Sequence, residues 1–195
     1  KKILPLLKQV AFPAFSKIQD QPQKINNYIL KAQKLSLLVT IPVFWGLAST
    51  VDLIIPIILG EKWLEAVVPT MIILMVMPLR FCEELFNPAL KSQRKVKHMI
   101  INIWIMMVIM SIAIFLGIKY GAIGLAFAWA GGFPVAFLWV VKRNSLLFNI
   151  PLSKVARLFV APCIAGALML VAVILAKQVF IEVSVVNLLA QILLG

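Results

Sequence analysis

Four residues with the types and spacing to do chemistry, Arg80, Glu83, Glu84 and Asn87, lie in an otherwise apolar stretch, VVPTMIILMVMPLRFCEELFNPAL (67–90). A charge at the centre of a membrane helix costs about 2.5–3.5 kcal/mol on insertion scales, so three on one helix imply a use. At 3.6 residues per turn the four share one face. Arg80 reaches Glu84 at i+4 or Glu83 at i+3. Pairing lowers the insertion cost but leaves one carboxylate over. Pro78 loosens the helix just before Arg80 and gives water a way in. The stripe therefore faces a hydrated cavity or the polar groups of another helix. Two roles are open to it. It either locks helices together, or Arg80 draws in an anionic substrate group while a glutamate carries a coupling proton or cation. On the second role the four are candidate substrate-translocation residues. Asp52, in the outer half of another span, is a candidate for ion coupling or a hydrated surface acid.

The elements that position these groups follow from composition. The chain of 195 residues is 63% hydrophobic and 13% charged, against roughly 45–50% and 25% in soluble domains, so it is an all-α polytopic membrane protein. Its net charge of +12 does not indicate nucleic acid, because the basic residues form short clusters between apolar runs. Cys82 and Cys163 fall inside apolar segments without ligand-spaced partners, and His98 is the one histidine. No metal site, cofactor or His-based catalytic centre is expected.

Residues 1–15 read as the end of a preceding membrane segment, and 16–34 as a cytoplasmic amphipathic loop with Ile25, Tyr28, Ile29 and Ala32 at helical spacing. Spans follow at 35–59, 67–90, 99–117, 121–141 and 158–176, with a cut span at 183–195. Domains 35–141 and 158–195 are thus four spans and additional C-terminal spans, separated by a basic loop at 142–157. Segments 16–34, 91–98 and 142–157 hold twelve Lys/Arg, against three (Lys62, Lys119, Lys177) in the alternate loops. By the positive-inside bias the first set faces the cytoplasm. Trp63 and Tyr120 mark the outer boundary and Trp104 and Trp139 the inner one, while Trp45 and Trp129 are packing residues. Six prolines within spans (Pro42, Pro56, Pro78, Pro88, Pro134, Pro162) favour a bent bundle around a cavity. Gly124, Ala128 and Gly132 form a stripe for close helix approach.

VAFPAFSKIQD (Val10–Asp20), NYILKAQKL (27–35) and GEKW (Gly60–Trp63), with YGAIGLAFAW (Tyr120–Trp129) further on, resemble the polysaccharide flippases. These are the lipopolysaccharide, O-antigen and exopolysaccharide exporters of the multidrug/oligosaccharidyl-lipid/polysaccharide superfamily. The resemblance implies the C-terminal part of a transporter with twelve to fourteen helices in the bacterial inner membrane. It further implies alternating-access export of an undecaprenyl-pyrophosphate-linked repeat unit, with the polysaccharide polymerase and chain-length machinery as partners. On that reading Arg80, with Lys91 or Arg94 at the inner mouth, are the candidate pyrophosphate contacts.

Two rivals stand beside it. A cation-coupled drug antiporter of the same superfamily would share the architecture and use Glu83, Glu84 or Asp52. A membrane enzyme of polysaccharide assembly usually needs a large outer loop or a His/Asp/Arg constellation, and the outer loops here are a few residues long. The expectation is transport rather than catalysis.

Overall fold

The computed structural model describes residues 22–179, all but a few of them helical and none in a strand. The segments expected at 1–15 and 183–195 lie outside the described residues. Helix α1 is described over Pro22–Leu59. It runs 38 residues without a break at the expected 34/35 boundary, so the amphipathic segment and the first span are one rod.

Gly60, at φ 88°, turns the chain into a short 3₁₀ segment (Glu61–Ala66), a conformation that needs glycine. Helices α2 (Val67–Glu84) and α3 (Phe86–Ser92) follow, then α4 (Val96–Gly117), α5 (Gly121–Phe148) and α6 (Leu152–Val179). By length and composition, Gln23–Leu59, Glu61–Ser92, Val96–Phe148 and Leu152–Lys177 can each cross a membrane. The third stretch, at 53 residues, turns back on itself at Gly121. Gly117 lies against Gly124, Ala113 against Gly132, and Asn102 bonds Asn144, so α4 and α5 are antiparallel.

Helix α1 is the shared element, packed on α2 along one side and on α6 along another, while α5 packs on α2 and α4 packs on α5. The core gathers Ile25, Ile29 and Leu37 of α1 with Phe86 and Leu90 of α3 and Phe133 of α5. Ile103, Trp104, Val108 and Phe115 of α4 stay exposed, as side chains turned to lipid do. Trp63, Trp139 and Tyr120 are likewise exposed. Trp45 donates to the Met75 carbonyl (3.0 Å) and Trp129 stacks on Phe133 (5.2 Å between centroids), as expected of packing residues.

The antiparallel course puts the described basic residues of 24–34, 91–97 and 142–157 at one end, and Lys62, Lys119 and Lys177 at the other. Little of the first set is loop. The turns are only Gln93–Lys95 and Asn149–Pro151, because helices continue through the charged residues, whose long stems carry the charge outward. Both helix ends close in the same way. Lys95 N–H donates to Leu90 C=O (2.8 Å) and Arg94 N–H to Lys91 C=O (3.0 Å), with Arg94 at φ 54°. Ile150 N–H donates to Ser145 C=O (2.8 Å) and Asn149 N–H to Leu146 C=O (3.4 Å), with Asn149 at φ 52°. Paired bonds of this kind around a left-handed residue satisfy the last carbonyls of a helix.

Helix α6 also approaches α1 closely. A Cβ on Gly166 would fall 2.5 Å from Ile41 Cγ2 and 2.8 Å from the Trp45 ring. Gly166→Leu is therefore expected to destabilise the bundle by about 1–3 kcal/mol, the usual cost of overpacking. Gly131→Leu, where nothing lies within 4 Å, is expected to be near neutral. Thermal unfolding of the two variants in detergent checks this, and equal melting temperatures would contradict it.

Candidate functional site

The charged face of α2 ends at a break. Pro88 has no N–H to offer the Glu84 carbonyl four residues back, and its ring crowds that carbonyl. The helix stops at Glu84, turns at Leu85 and resumes at Phe86. Pro78 has a milder effect, since α2 runs through it. The Trp45 indole bonds Met75 C=O, next to the Leu74 carbonyl whose helical donor Pro78 removes. Such disturbed backbone is tolerated in membranes where neighbours supply partners.

Of the two pairings open to Arg80, the structure has the one with Glu84, Nη2 to Oε1 at 3.3 Å. The Arg80 side chain is 42% exposed and that of Glu84 12%. Glu83 points into the bundle and is 6% exposed. The face shared in sequence is therefore divided. Arg80 and Glu84 stand together at its margin, Glu83 lies inward, and Asn87 is half-buried on α3 beyond the break.

Gln33 of α1, fully buried, donates from Nε2 to Cys82 C=O (3.4 Å) and so ties α1 to the turn carrying the two glutamates. Further along α1, Phe44 packs against Phe81 of α2, 5.3 Å between centroids. Sequence periodicity did not single out Gln33, which lies between Ala32 and Lys34 in a polar stretch and gave no signal of its burial.

Lys91 and Arg94 are exposed at the basic end, one on the last turn of α3 and the other in the turn that follows. Lys95 crosses to α5, with Nζ 3.4 Å from Leu147 C=O and 5.1 Å above the Phe148 ring. The left-handed backbone of Arg94 costs a non-glycine residue about 1–2 kcal/mol. Arg94→Gly is expected to stabilise the protein by about 1 kcal/mol and Arg94→Ala to leave stability unchanged, as read from melting temperature. A loss of stability in the glycine variant would mean that the Arg94 side chain is a structural tie.

A second polar group, unnoticed in the sequence, joins α4 to α5. Asn102 Nδ2 donates to Asn144 Oδ1 (2.9 Å), and Arg143 Nε donates to Asn102 Oδ1 (3.2 Å). Asn102 is 3% exposed and Asn144 1%. Asp52 is not part of the Arg80 group. It lies near the opposite end, where Lys177 Nζ meets Oδ1 at 2.5 Å and Oδ2 at 2.7 Å, tying α1 to α6.

An all-helical chain with long apolar helices, a charge pair beside a broken helix and basic residues gathered at one end is a multi-pass membrane protein. Through residues 1–68 it matches the family model described as polysaccharide biosynthesis protein, the relationship that the FPAFS and GEKW segments indicate. It is 41% identical over 66 residues to the teichuronic acid biosynthesis protein TuaB of Bacillus subtilis (strain 168), covering 34% of this chain and 14% of that protein. To the lipopolysaccharide biosynthesis protein WzxC of Escherichia coli (strain K12) it is 32% identical over 78 residues, covering 40% and 16%. An uncharacterized membrane protein in the cps region of Klebsiella pneumoniae is 33% identical over 75 residues, 38% and 15%. These matches span about one-seventh of the relatives' length. No solved structure matches the chain. The family match ends at residue 68, before Arg80, so the site rests on its own geometry.

Proposed function

We propose that the chain is the C-terminal part of an exporter that moves a lipid-linked oligosaccharide repeat unit across the bacterial inner membrane by alternating access. The observation that carries this reading is the Arg80–Glu84 pair at a helix break, with the arginine 42% exposed at membrane depth. A saccharide joined through phosphates needs a cation along its path, and a broken helix in a transporter supplies both polar backbone and room to bend. The relatives named for teichuronic acid and lipopolysaccharide biosynthesis support a polysaccharide cargo.

The basic end faces the cytoplasm by the positive-inside bias, and Lys91 and Arg94 receive the pyrophosphate there. Glu83, Glu84 and Asn87 line the path, and the absent half of the transporter supplies the facing wall. The role is transport, with no bond made or broken. Asp52, held by Lys177, serves as a tie between helices rather than as the coupling ion's site.

The test is complementation with the full-length protein in a bacterium lacking its own exporter for a matched polysaccharide. Restored surface display is the expected result. Good expression with no display, and a rise in drug resistance instead, would replace this reading with the cation-coupled antiporter.

A further inference from the structure

Helices α5 and α6 leave the Asn149–Pro151 turn and make little contact beyond it. A crevice of about 600 Å³ opens between them, almost wholly apolar. Leu79 of α2 is its floor, Phe137 and Phe159 meet edge to face across it (6.0 Å, 77°), and Val141 and Val155 line its walls. Its outer rim is Leu138 (65% exposed) and Leu152 (48%), the latter on the first turn of α6, on helices apolar enough to cross a membrane. The one charged residue in the lining is Lys142. Arg143, Lys154 and Arg157 stand on the adjoining turns of the same two helices, and 142–157 contains no acid.

We infer that this crevice holds one acyl chain of an anionic phospholipid, with Lys142 against the lipid's phosphate. An apolar slot beside the bilayer takes a chain, and Lys142 with Lys154 and Arg157 nearby, and no acid in 142–157, select a negative headgroup. The volume suits a single chain rather than the whole of a long polyprenyl tail, so the occupant is a lipid of the surrounding bilayer and not the transported carrier. The site is separate from Arg80 and Glu84, and it stands whether or not the transport reading does.

The full-length protein is placed in phosphatidylcholine nanodiscs containing a little phosphatidylglycerol with a photoreactive group near the end of one chain. After irradiation, label is expected on residues 134–141 and 152–159. Lys142→Glu should lower it by about fivefold or more, the scale of one basic residue's attraction to an anionic lipid. Ala156→Trp, an exposed lining residue tolerant of a larger side chain, should lower it as well by filling the slot, with the melting temperature showing that the fold is kept. Phosphatidylcholine carrying the same group should label these residues about fivefold less. Equal labelling by the two headgroups would overturn the inference, as would label no stronger than on the lipid-facing residues of α4. Displacement by polyprenyl phosphate but not by unlabelled phosphatidylglycerol would overturn it in favour of the carrier lipid.

Discussion

Cells carrying Arg80→Ala together with Glu84→Gln are expected to make the full-length protein at close to its normal level and to display at least about tenfold less surface polysaccharide. The single change Arg80→Ala is expected to lower both. It leaves the Glu84 carboxylate, on a side chain 12% exposed, without its arginine. Breaking a fully buried pair costs about 3–5 kcal/mol. With Arg80 42% exposed, screening brings that to about 1–3 kcal/mol, enough to reduce the amount in the membrane several-fold. Glu84→Gln replaces a mostly buried carboxylate with a neutral amide that costs less to bury, so the double variant recovers stability. It cannot recover a cation needed by a phosphate, and display falls at least about tenfold, which corresponds to 1.4 kcal/mol of lost contact. Immunoblots of membranes and a surface-polysaccharide assay read the two quantities separately. Full display in the double variant would make Arg80 a clamp between turns of α2 and remove it from the substrate path.

Asn144→Leu is expected to destabilise the protein by about 1–3 kcal/mol, because it leaves the buried Asn102 amide without its acceptor. An interhelical hydrogen bond in a membrane averages only about 0.6 kcal/mol in double-mutant cycles. The larger cost comes from the polar group left behind in a place water does not reach. Asn102→Leu with Asn144→Leu is therefore expected to be more stable than the sum of the single changes by at least about 0.6 kcal/mol. Arg143 then loses its bond to Asn102 but can carry its guanidinium outward to the basic end. Chemical denaturation of the four proteins in mixed micelles gives the coupling. Strict additivity would show that the Asn102–Asn144 pair adds no coupling and that α4 and α5 are held by close packing such as Gly117–Gly124 and Ala113–Gly132.

What the sequence allowed to be read, and what it did not, divides by separation along the chain. Arg80 and Glu84 were legible because residues four apart meet on any helix. Glu83 was placed on the same face, but its burial depends on neighbours that a single helix does not specify. The break at Leu85 is written in Pro88, acting four residues upstream, and a continuous 67–90 span passes over it. Asn102 and Asn144 are 42 residues apart, and Asp52 and Lys177 are 125 apart. Periodicity carries no information about such pairs, so Asp52 read as an isolated acid when it has a lysine on another helix. Composition pointed to a membrane protein, because 63% apolar and 13% charged residues lie far from a soluble domain, and apolar runs of about 20 residues made the spans helical. Helix ends were less legible. Runs of lysine and arginine look like loops, whereas here they ride on helices up to a left-handed Arg94 or Asn149.

Helix α1, unbroken over 38 residues, is about 57 Å long at 1.5 Å per residue, nearly twice the thickness of the hydrocarbon layer. A rod of that length is a lever. Tilting it by about 10° around its midpoint sweeps each tip through roughly 5 Å, about one helical turn. Its far arm is coupled to α6 through Asp52 and Lys177, and its near arm reaches the α2 break through Gln33. A tilt of this rod would carry its two tips in opposite directions at opposite faces of the bilayer.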